Sequence, residues 1–278
     1  GGFVPLNSSG PHPVAPGELS VSNLSLPGGG EISFTMAGGS LHGIVGERGS
    51  GIGGIAAVLG GVAAGRWTGT ITLGGQAVRL RRVTETLRAG IAVVYQADPL
   101  IRGMTVLENI FLSREPARAG IIDQARAIQA ARRGCEVMGI TLDLEQPAGR
   151  LSPWECVMVR LARALVSRPV LLVADNLSES LSENESESLL QVIRQIHAQG
   201  CGILFLSNRV REVFDLAERI TVIRAGRVVG NHESDRVDED TLYRQVAGRD
   251  FESVANAAQA LKAMGVTGRE SQIIQLLL

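Results

Sequence analysis

The stretch LHGIVGERGSGIGGIAAVLG, residues 41–60, sets the expectation for the fold. It begins with a short apolar run, which predicts a buried strand, and it ends with apolar residues at helical spacing. Between them lies GERGSGIGG (46–54), in which Gly46, Gly49 and Gly51 stand at the spacing of a phosphate-binding loop. A strand, a glycine-rich loop and a helix in this order are the context that such a loop requires.

The side chains that usually act on phosphate are missing from this loop. A phosphate-binding loop continues with a lysine that reaches the β- and γ-phosphates and a Ser or Thr that binds Mg²⁺. Ile52 and Gly53 stand at those two positions, and the single lysine of the chain is Lys262. Taken alone, the segment is better explained as a glycine-rich turn, although its backbone N–H groups could still cradle a phosphate.

Length and composition limit the class of protein. The 278 residues suit one large domain or two small ones, and an apolar share of 45% is enough for a sizeable core. The net charge of -1 gives no electrostatic reason to propose a nucleic acid partner. The three cysteines are far apart, so we expect buried thiols. The histidines form no ligand pattern, and no apolar run is long enough to span a bilayer.

Patterning divides the chain into regions. Residues 1–17 are rich in Pro, Gly and Ser and predict a linker or an added arm. Short runs between glycine turns from 18 to about 80 predict an antiparallel β subdomain, with QAVRL (76–80) as a strand. The helical pattern of about 105–165 predicts a helical subdomain, and strand–helix alternation over 155–225 predicts an α/β core with a parallel sheet.

The two ends of the chain carry expectations of their own. Residue 1 is Gly and not Met, so one interpretation is that the chain is a piece of a longer protein. Apolar residues in the segment 254–278 have heptad-like spacing, and we predict a helical tail over 251–278. We expect this tail to pack against the rest of the chain, with a partner-binding motif as the alternative.

The order and spacing of these segments resemble the nucleotide-binding domain of an ATP-binding cassette (ABC) transporter. The carbohydrate-import class, in which two such domains are often fused, is most similar. The resemblance covers about 18–250, and its strongest segment is IAVVYQADPLIRGMTVLENIFLSREP (91–116), which resembles the Q-loop region. It implies an α/β, P-loop NTPase-like fold with an antiparallel β subdomain and a helical subdomain.

The resemblance also implies cofactors and partners. ATP and Mg²⁺ are the implied cofactors, if the site functions. A membrane permease and a second nucleotide-binding domain are the implied partners, with no nucleic acid. The implied location is cytoplasmic and peripheral, on the inner face of the cell membrane. The implied nucleotide-binding residues are Gly46, Gly49, Ser50, Gly51, Ile52, Gly53, Gly54 and Ser152.

Catalytic positions implied by the resemblance are altered in chemistry. Asp175, at the end of PVLLVAD, would hold Mg²⁺, and Gln96 would contact the Mg²⁺ or the attacking water. Asn176 stands where the catalytic glutamate is expected, and Asn208 replaces the switch histidine. Asn can orient a water but cannot take its proton, so general-base help of typically 10²–10⁴-fold is lost. By themselves, Gln96 and Asp175 are also explained as polar residues that end strands.

Two further segments depart from the family pattern. LSPWECVMVRLARAL (151–165) resembles the signature segment and keeps Ser152, whereas Pro153 and Trp154 replace small residues. We expect Trp154 to clash where the backbone must approach a partner's phosphate closely. Leu26 replaces the aromatic residue that would stack on adenine.

Three functions remain open from the sequence. The first is a degenerate ATP-binding subunit or half of a carbohydrate-type importer, with weak nucleotide binding and little hydrolysis. The second is a non-catalytic scaffold or regulatory protein with the ABC fold. The third is a working ATPase in which Arg48, Ser50, Asn176 and Asn208 compensate for the missing groups.

Overall fold

The computed structural model describes residues 17–27, 29–112, 117–118 and 121–248. The predicted helical tail (251–278) lies outside the described residues, as does the predicted arm (1–17) apart from Gly17. No helix in the described part of the chain is both long enough and apolar enough to cross a membrane.

Strands and helices alternate along most of the chain. The strands are β1 (Leu19–Ser25), β2 (Ile32–Met36), β3 (Leu41–Val45), β4 (Thr68–Leu73), β5 (Gln76–Ala77), β6 (Ile91–Val94), β7 (Ala117–Arg118), β8 (Ile121–Ile122), β9 (Leu171–Asp175), β10 (Gly202–Ser207), β11 (Arg219–Arg224) and β12 (Arg227–Glu233). The α-helices are α1 (Ile52–Leu59), α2 (Val83–Arg88), α3 (Val106–Phe111), α4 (Gln124–Met138), α5 (Pro153–Leu165), α6 (Glu183–Ala198), α7 (Val210–Leu216) and α8 (Glu239–Ala247).

The central sheet has six strands in the order β12-β11-β3-β10-β9-β6. All its neighbours are parallel except β11 and β12, which form an antiparallel edge. Every residue of β3, β9 and β10 is buried, as expected for strands that are covered on both faces. The carboxyl ends of the parallel strands meet at one edge, where α/β proteins bind ligands.

A second sheet has four antiparallel strands in the order β2-β1-β4-β5. Burial alternates along β2, so one face packs on the core and the other meets solvent. This sheet confirms the predicted antiparallel β region. The predicted strand QAVRL is wrong beyond Ala77, where β5 ends. Leu80 is buried by side-chain packing in the core and not by strand pairing.

Two hydrophobic clusters lie on opposite faces of the central sheet. Leu172 and Phe205 belong to the cluster shared with α3–α7, whereas Val173 and Leu204 belong to the cluster shared with α1 and the antiparallel sheet. Because side chains of a strand alternate between faces, each central strand contributes to both clusters. The α/β fold with an antiparallel sheet and a helical layer is therefore confirmed.

The three cysteines do not all match the expectation of buried thiols. Cys135 and Cys201 are buried, and burial raises the pKa of the Cys201 thiol to about 12. Cys156 is only half-buried, because it lies in the first turns of α5 near the protein surface.

Candidate functional site

The loop that joins β3 to α1 requires glycine at three positions. A Cβ on Gly46 would lie 2.2 Å from the carbonyl oxygen of Ile223, so β3 can pass β11 here only without a side chain. Gly49 and Gly51 have φ angles of 83° and 106°, a region that L side chains rarely adopt. The glycine spacing seen in the sequence is therefore required by the path of the backbone.

The N-terminus of α1 presents backbone donors. Gly51 is the N-cap and makes no side-chain cap hydrogen bond. The Gly51 carbonyl accepts from the N–H groups of Gly54 and Ile55 at 3.0 and 3.3 Å. The N–H groups of Ile52 and Gly53 precede these helical bonds. Together with the positive end of the helix dipole, such N–H groups form a site for anions such as phosphate.

A cavity of about 650 Å³ opens beside this loop. Every predicted site residue except Ser152 lines it: Gly46, Gly49, Ser50, Gly51, Ile52, Gly53, Gly54, Gln96, Asp175, Asn176 and Asn208. Its volume lies within the range of roughly 300–1,000 Å³ that is usual for small-molecule sites. Residues from four separate segments of the sequence thus meet at one place.

Positions 52 and 53 have different surroundings. The Ile52 side chain is 4% exposed and belongs to the hydrophobic cluster between α1 and the two sheets. A Cβ on Gly53 would meet no heavy atom within 4 Å. The position expected for lysine is therefore occupied by a core residue, while the position expected for the metal-binding hydroxyl opens onto free space.

Asn176 links the ends of β9 and β10. Its Nδ2 donates to Asp175 Oδ1 at 3.2 Å, and its Oδ1 accepts from the backbone N–H of Asn208 at 3.0 Å. The φ angle of Asn176 is 46°, a left-handed conformation that asparagine tolerates better than most residues. Both ends of this amide are therefore bonded within the protein.

Asp175 is a mostly buried carboxyl group. Burial raises its pKa, and the hydrogen bond from Asn176 partly opposes that rise. Burial and the charges of Asp175 and Asp98 raise the pKa of the neighbouring Tyr95 to about 12. A cation bound at Asp175 would favour the ionised carboxylate.

The segment that follows β6 is held by two arginines of α5. Arg160 Nη1 donates to the carbonyl groups of Tyr95 and Gln96 at 3.2 and 2.8 Å. Arg163 Nη1 donates to both carboxylate oxygens of Asp98 at 3.0 and 3.1 Å. These bonds fix the backbone while Gln96, itself exposed, lines the cavity.

Two polar residues of the glycine-rich loop have different surroundings. Arg48 forms an ion pair with Glu179, which follows β9. The Ser50 hydroxyl is buried and has no hydrogen-bond partner, whereas its backbone carbonyl accepts from Gly226 at 2.9 Å. An unsatisfied buried hydroxyl in the wall of a cavity is a group that a bound oxyanion could satisfy.

Ser152 lies outside the cavity, at the N-terminus of α5. Its Oγ accepts from the Glu155 N–H at 3.2 Å, and Glu155 Oε2 accepts from the Ser152 N–H at 2.8 Å. Pro153 is the first residue of the helix, a position that suits proline. Trp154 packs against the main core cluster. Within this chain, Ser152 therefore acts as a helix cap.

Sequence reasoning missed much of the cavity wall. Further lining residues are Pro27, Gly29, Glu47, Ala57, Ala63, Ala64, Trp67, Ala225 and Gly226. Leu26, expected to replace an aromatic residue, also lines the cavity and packs on Gly54, where a Cβ would lie 2.5 Å from Leu26 Cδ1. No motif marks Trp67. Only the pairing of β1 with β4, which is a long-range property, brings it beside Leu26.

Comparisons with known proteins identify the family of this chain. The ABC transporter family profile matches residues 30–179. A ribose import ATP-binding protein of Chromobacterium violaceum is 36% identical over 221 residues, which cover 79% of this chain and 44% of that protein. An arabinose import ATP-binding protein of Rhizobium meliloti is 33% identical over 225 residues, covering 81% of this chain and 44% of that protein. The chain thus spans about half the length of the curated relatives it matches.

Solved structures share the fold. An ATP-binding cassette of an ABC transporter in its ADP conformation matches with a TM-score of 0.70 and 18% identity, over 84% of this chain and 96% of that one. A nucleotide-free ATP-binding cassette matches with a TM-score of 0.66 and 19% identity, over 77% and 90%. The family profile covers more than half of the chain, and the fold is that of these cassettes. The chain therefore belongs to the ABC transporter family.

Proposed function

We propose that this chain is a degenerate ATP-binding subunit, or half of one, of a carbohydrate-type ABC importer. Its nucleotide-binding domain spans about 18–250, binds ATP weakly and hydrolyses it little or not at all. It works at the cytoplasmic face of the membrane, docked on a permease and paired with a second nucleotide-binding domain. The similarity to ribose import and arabinose import ATP-binding proteins supports a carbohydrate as the solute.

The observation that carries this proposal is the retained phosphate cradle beside the cavity. The N–H groups of Ile52 and Gly53 come before the first helical hydrogen bonds of α1. The loop glycines Gly49 and Gly51 have the positive φ angles that the turn into the helix requires. The Ser50 hydroxyl is unsatisfied, and the space above Gly53 is open. These features fit the phosphates of a nucleotide, and the volume of about 650 Å³ leaves room for the rest of it.

The residues present fit Mg²⁺ only in part. Asp175 supplies a carboxylate and Gln96 an amide, and both line the cavity. Among the described residues there is no group of three or more His, Cys, Asp or Glu side chains that could hold a metal alone. Magnesium beside a nucleotide usually takes one or two carboxylates together with phosphate oxygens, whose charge it neutralises. Gly53 removes the hydroxyl that would complete this set.

Two positions support weak hydrolysis. The Ile52 side chain packs in the core, so the charge that lysine would place on the phosphates is absent. The Asn176 amide holds Asp175 and the backbone of Asn208, and it has no group that could accept a proton from water. The loss of a charged hydrogen bond costs about 1.5–3 kcal/mol, which corresponds to one to two decades in affinity.

The alternative of a working ATPase finds less support. In that alternative Arg48 would replace the missing lysine, but its guanidinium pairs with Glu179. Asn176 would orient the attacking water, but both ends of its amide are already bonded within the protein. The scaffold alternative predicts that the cavity binds no nucleotide.

The exposed segment after Gln96 supports docking on a permease. Ile101 is 42% exposed, and Arg102 and Gly103 are also exposed. Asn109 holds this segment from α3, since its Oδ1 accepts from the Ile101 N–H at 2.8 Å. A fixed, exposed segment that follows the cavity residue Gln96 in the sequence is suited to transmit the state of the cavity to another subunit.

Calorimetric titration of the chain with ATP, with and without Mg²⁺, tests the proposal. The matched variants are Gly53→Asp and Gly53→Asn, which place similar volumes in open space at the start of α1. Asp is favourable at a helix N-terminus, so folding should not suffer, but its charge repels phosphate. We expect dissociation constants from micromolar to low millimolar for the unmodified chain and Gly53→Asn, and at least tenfold weaker binding for Gly53→Asp.

No binding of ATP at millimolar concentration would contradict the proposal and favour the scaffold alternative. Equal affinities of the Asp and Asn variants would show that ATP binds elsewhere. Hydrolysis by the unmodified chain that is lost in Asp175→Ala would favour the working ATPase.

A further inference from the structure

The cavity has two chemically different sides. The polar side chains come from the carboxyl ends of β6, β9 and β10, as Gln96, Asp175 and Asn208. The apolar side chains come from the end of β1, from α1 and from the segment before β4: Leu26, Pro27, Ala57, Ala63, Ala64 and Trp67. The phosphate cradle lies on the loop between β3 and α1. A ligand with a charged group and a planar apolar group matches this division.

Trp67 is the aromatic residue of the apolar side. In the antiparallel pairing of β1 and β4, Ser25 lies opposite Thr68, so the next positions outward bring residues 26 and 67 opposite each other. The segment before Trp67 also contacts Pro27, since a Cβ on Gly65 would lie 3.4 Å from Pro27 Cγ. Trp67 is therefore the cross-strand neighbour of Leu26 on the cavity wall.

Arg81 holds the Trp67 ring. Its guanidinium carbon lies 4.8 Å from the ring centroid, within the range of a cation–π contact. Arg81 itself does not line the cavity. The ring surface that Trp67 contributes to the cavity wall is therefore the part that Arg81 leaves uncovered. A ring that is half-buried and held on one side is a preorganised surface for another planar ring.

We infer that Trp67 is the platform on which the base of a bound nucleotide stacks in this cavity. This inference rests on the proposed nucleotide-binding function and deepens it. The position that was expected to be aromatic holds Leu26, which packs on Gly54 and leaves no ring there. The aromatic contact thus comes from the position immediately before β4, which pairs with the strand β1 that leads to Leu26. Stacking on Trp67 makes the cavity prefer a nucleotide over a polyphosphate without a base.

Tryptophan fluorescence tests this directly, because the chain has two tryptophans. Trp154→Phe removes the one that lies outside the cavity and leaves Trp67 as the reporter. Titration with ATP is compared with titration with inorganic tripolyphosphate, which has no base. We expect ATP to quench or shift the Trp67 emission and tripolyphosphate to leave it nearly unchanged.

Affinity provides the second measurement. Calorimetry compares the chain that carries Trp67 with Trp67→Phe and Trp67→Leu. Loss of base stacking should weaken ATP binding on the order of tenfold in Trp67→Leu, Trp67→Phe should retain most of the affinity, and binding of tripolyphosphate should not change.

The outcomes separate this inference from the proposed function. If ATP binds the unmodified chain, but with no change in Trp67 emission and with equal affinity for Trp67→Leu, the inference is overturned and the proposed function stands. If neither ATP nor tripolyphosphate binds, both are overturned. If Trp67→Leu weakens both ligands equally, Trp67 supports the loop and is not a base platform.

Discussion

At the scale of single residues, Ile52 and Gly53 explain how a phosphate loop can keep its backbone and lose its side-chain chemistry. Ile52 adds its side chain to the core, whereas Gly53 leaves space in the cavity unfilled. Restoring lysine at 52 therefore replaces a core contact, but adding a hydroxyl at 53 displaces nothing. A lysine at position 52 should therefore lower the stability of the fold more than a serine at position 53.

We predict that Ile52→Lys combined with Gly53→Ser increases the affinity for ATP with Mg²⁺ by one to two decades, because a charged hydrogen bond contributes about 1.5–3 kcal/mol. The variant should also lose about 1–3 kcal/mol of unfolding free energy, because an apolar side chain leaves the core. Calorimetry and urea denaturation measure the two effects. Ile52→Met is the matched control of similar length without charge. An equal gain for Ile52→Met would contradict the role of charge.

His42 in β3 is a buried histidine that affects how stability depends on pH. It is 2% exposed, its Nε2 lies 2.8 Å from Thr221 Oγ1, and Thr221 in turn donates to Asn231 Oδ1 at 2.7 Å. Because the Thr221 hydroxyl donates its proton to Asn231, Nε2 of His42 is the donor in its bond to Thr221. Burial, with a smaller contribution from Arg219, lowers the pKa of His42 from 6.5 to about 4.

The lowered pKa of His42 predicts a loss of stability in acid. Below pH 6.5 the unfolded chain binds a proton that the folded chain does not bind until about pH 4, so unfolding becomes easier as the pH falls through this window. The contribution lost over the window is about 3 kcal/mol. Denaturation at pH 7 and pH 5 should show part of this loss, about 2 kcal/mol, and His42→Gln should reduce it.

His197→Gln is the matched control for this titration, because it removes a histidine and leaves His42 in place. His197 Nε2 donates one bond of 2.8 Å, to the Gly39 carbonyl oxygen. If His42→Gln and His197→Gln have the same pH dependence of unfolding, His42 is not the group responsible.

At the scale of secondary structure elements, Glu212 of α7 joins the segment that follows β9 to the end of β10. Its Oε2 accepts from Ser178 Oγ at 2.7 Å and from Ser207 Oγ at 2.8 Å. Its Oε1 accepts from Arg209 Nη1 at 3.2 Å, and the same nitrogen lies 3.3 Å from Ser186 Oγ of α6. One buried carboxylate thus fixes two segments that also provide Asn176 and Asn208 to the cavity.

We predict that Glu212→Gln lowers the free energy of unfolding by about 2 kcal/mol, since an amide cannot accept every bond that the carboxylate accepts. The matched control is Asp215→Asn in the same helix, which removes an exposed ion pair with Arg211 at 3.6 Å. That change should cost less than about 0.5 kcal/mol. Urea denaturation of the two variants measures the difference, and losses of equal size would contradict the role of the buried carboxylate.

At the scale of the whole molecule, the cavity lies where the two sheets approach each other. Gly30 and Gly226 are in backbone contact there, since a Cβ on Gly30 would lie 2.2 Å from the Gly226 carbonyl oxygen. Beside them, the backbones of Glu31 and Arg227 pair in a parallel β-bridge. A ligand in the cavity contacts both sheets and therefore stabilises the folded chain against unfolding.

We predict that ATP raises the melting temperature. At a concentration ten times the dissociation constant, the gain is about 1.4 kcal/mol, which corresponds to roughly 3–6 °C for a chain of this size. Differential scanning fluorimetry with and without ATP measures the shift. ATP should raise the melting temperature of Gly53→Asn and should not raise that of Gly53→Asp. Equal shifts in both variants would mean that the stabilising site is not the phosphate cradle.

The sequence alone determined the fold and the place of the site. Buried apolar runs predicted the central strands, and the loop glycines predicted the turn into α1, because both follow from local periodicity and backbone conformation. The prediction that Gln96, Asp175, Asn176 and Asn208 belong together came from the family resemblance, and the carboxyl ends of neighbouring strands do bring them to one cavity. Predictions for residues 251–278 concern residues that the structure does not describe.

Only the tertiary structure decided what the individual side chains do. Arg48 pairs with Glu179 from a distant part of the sequence, Ile52 packs into the core, and the Asn176 amide is used within the protein. Trp67 reaches the cavity because β4 pairs with β1 in a particular register. Side-chain direction and partners depend on contacts between residues far apart in sequence, and no local pattern encodes them.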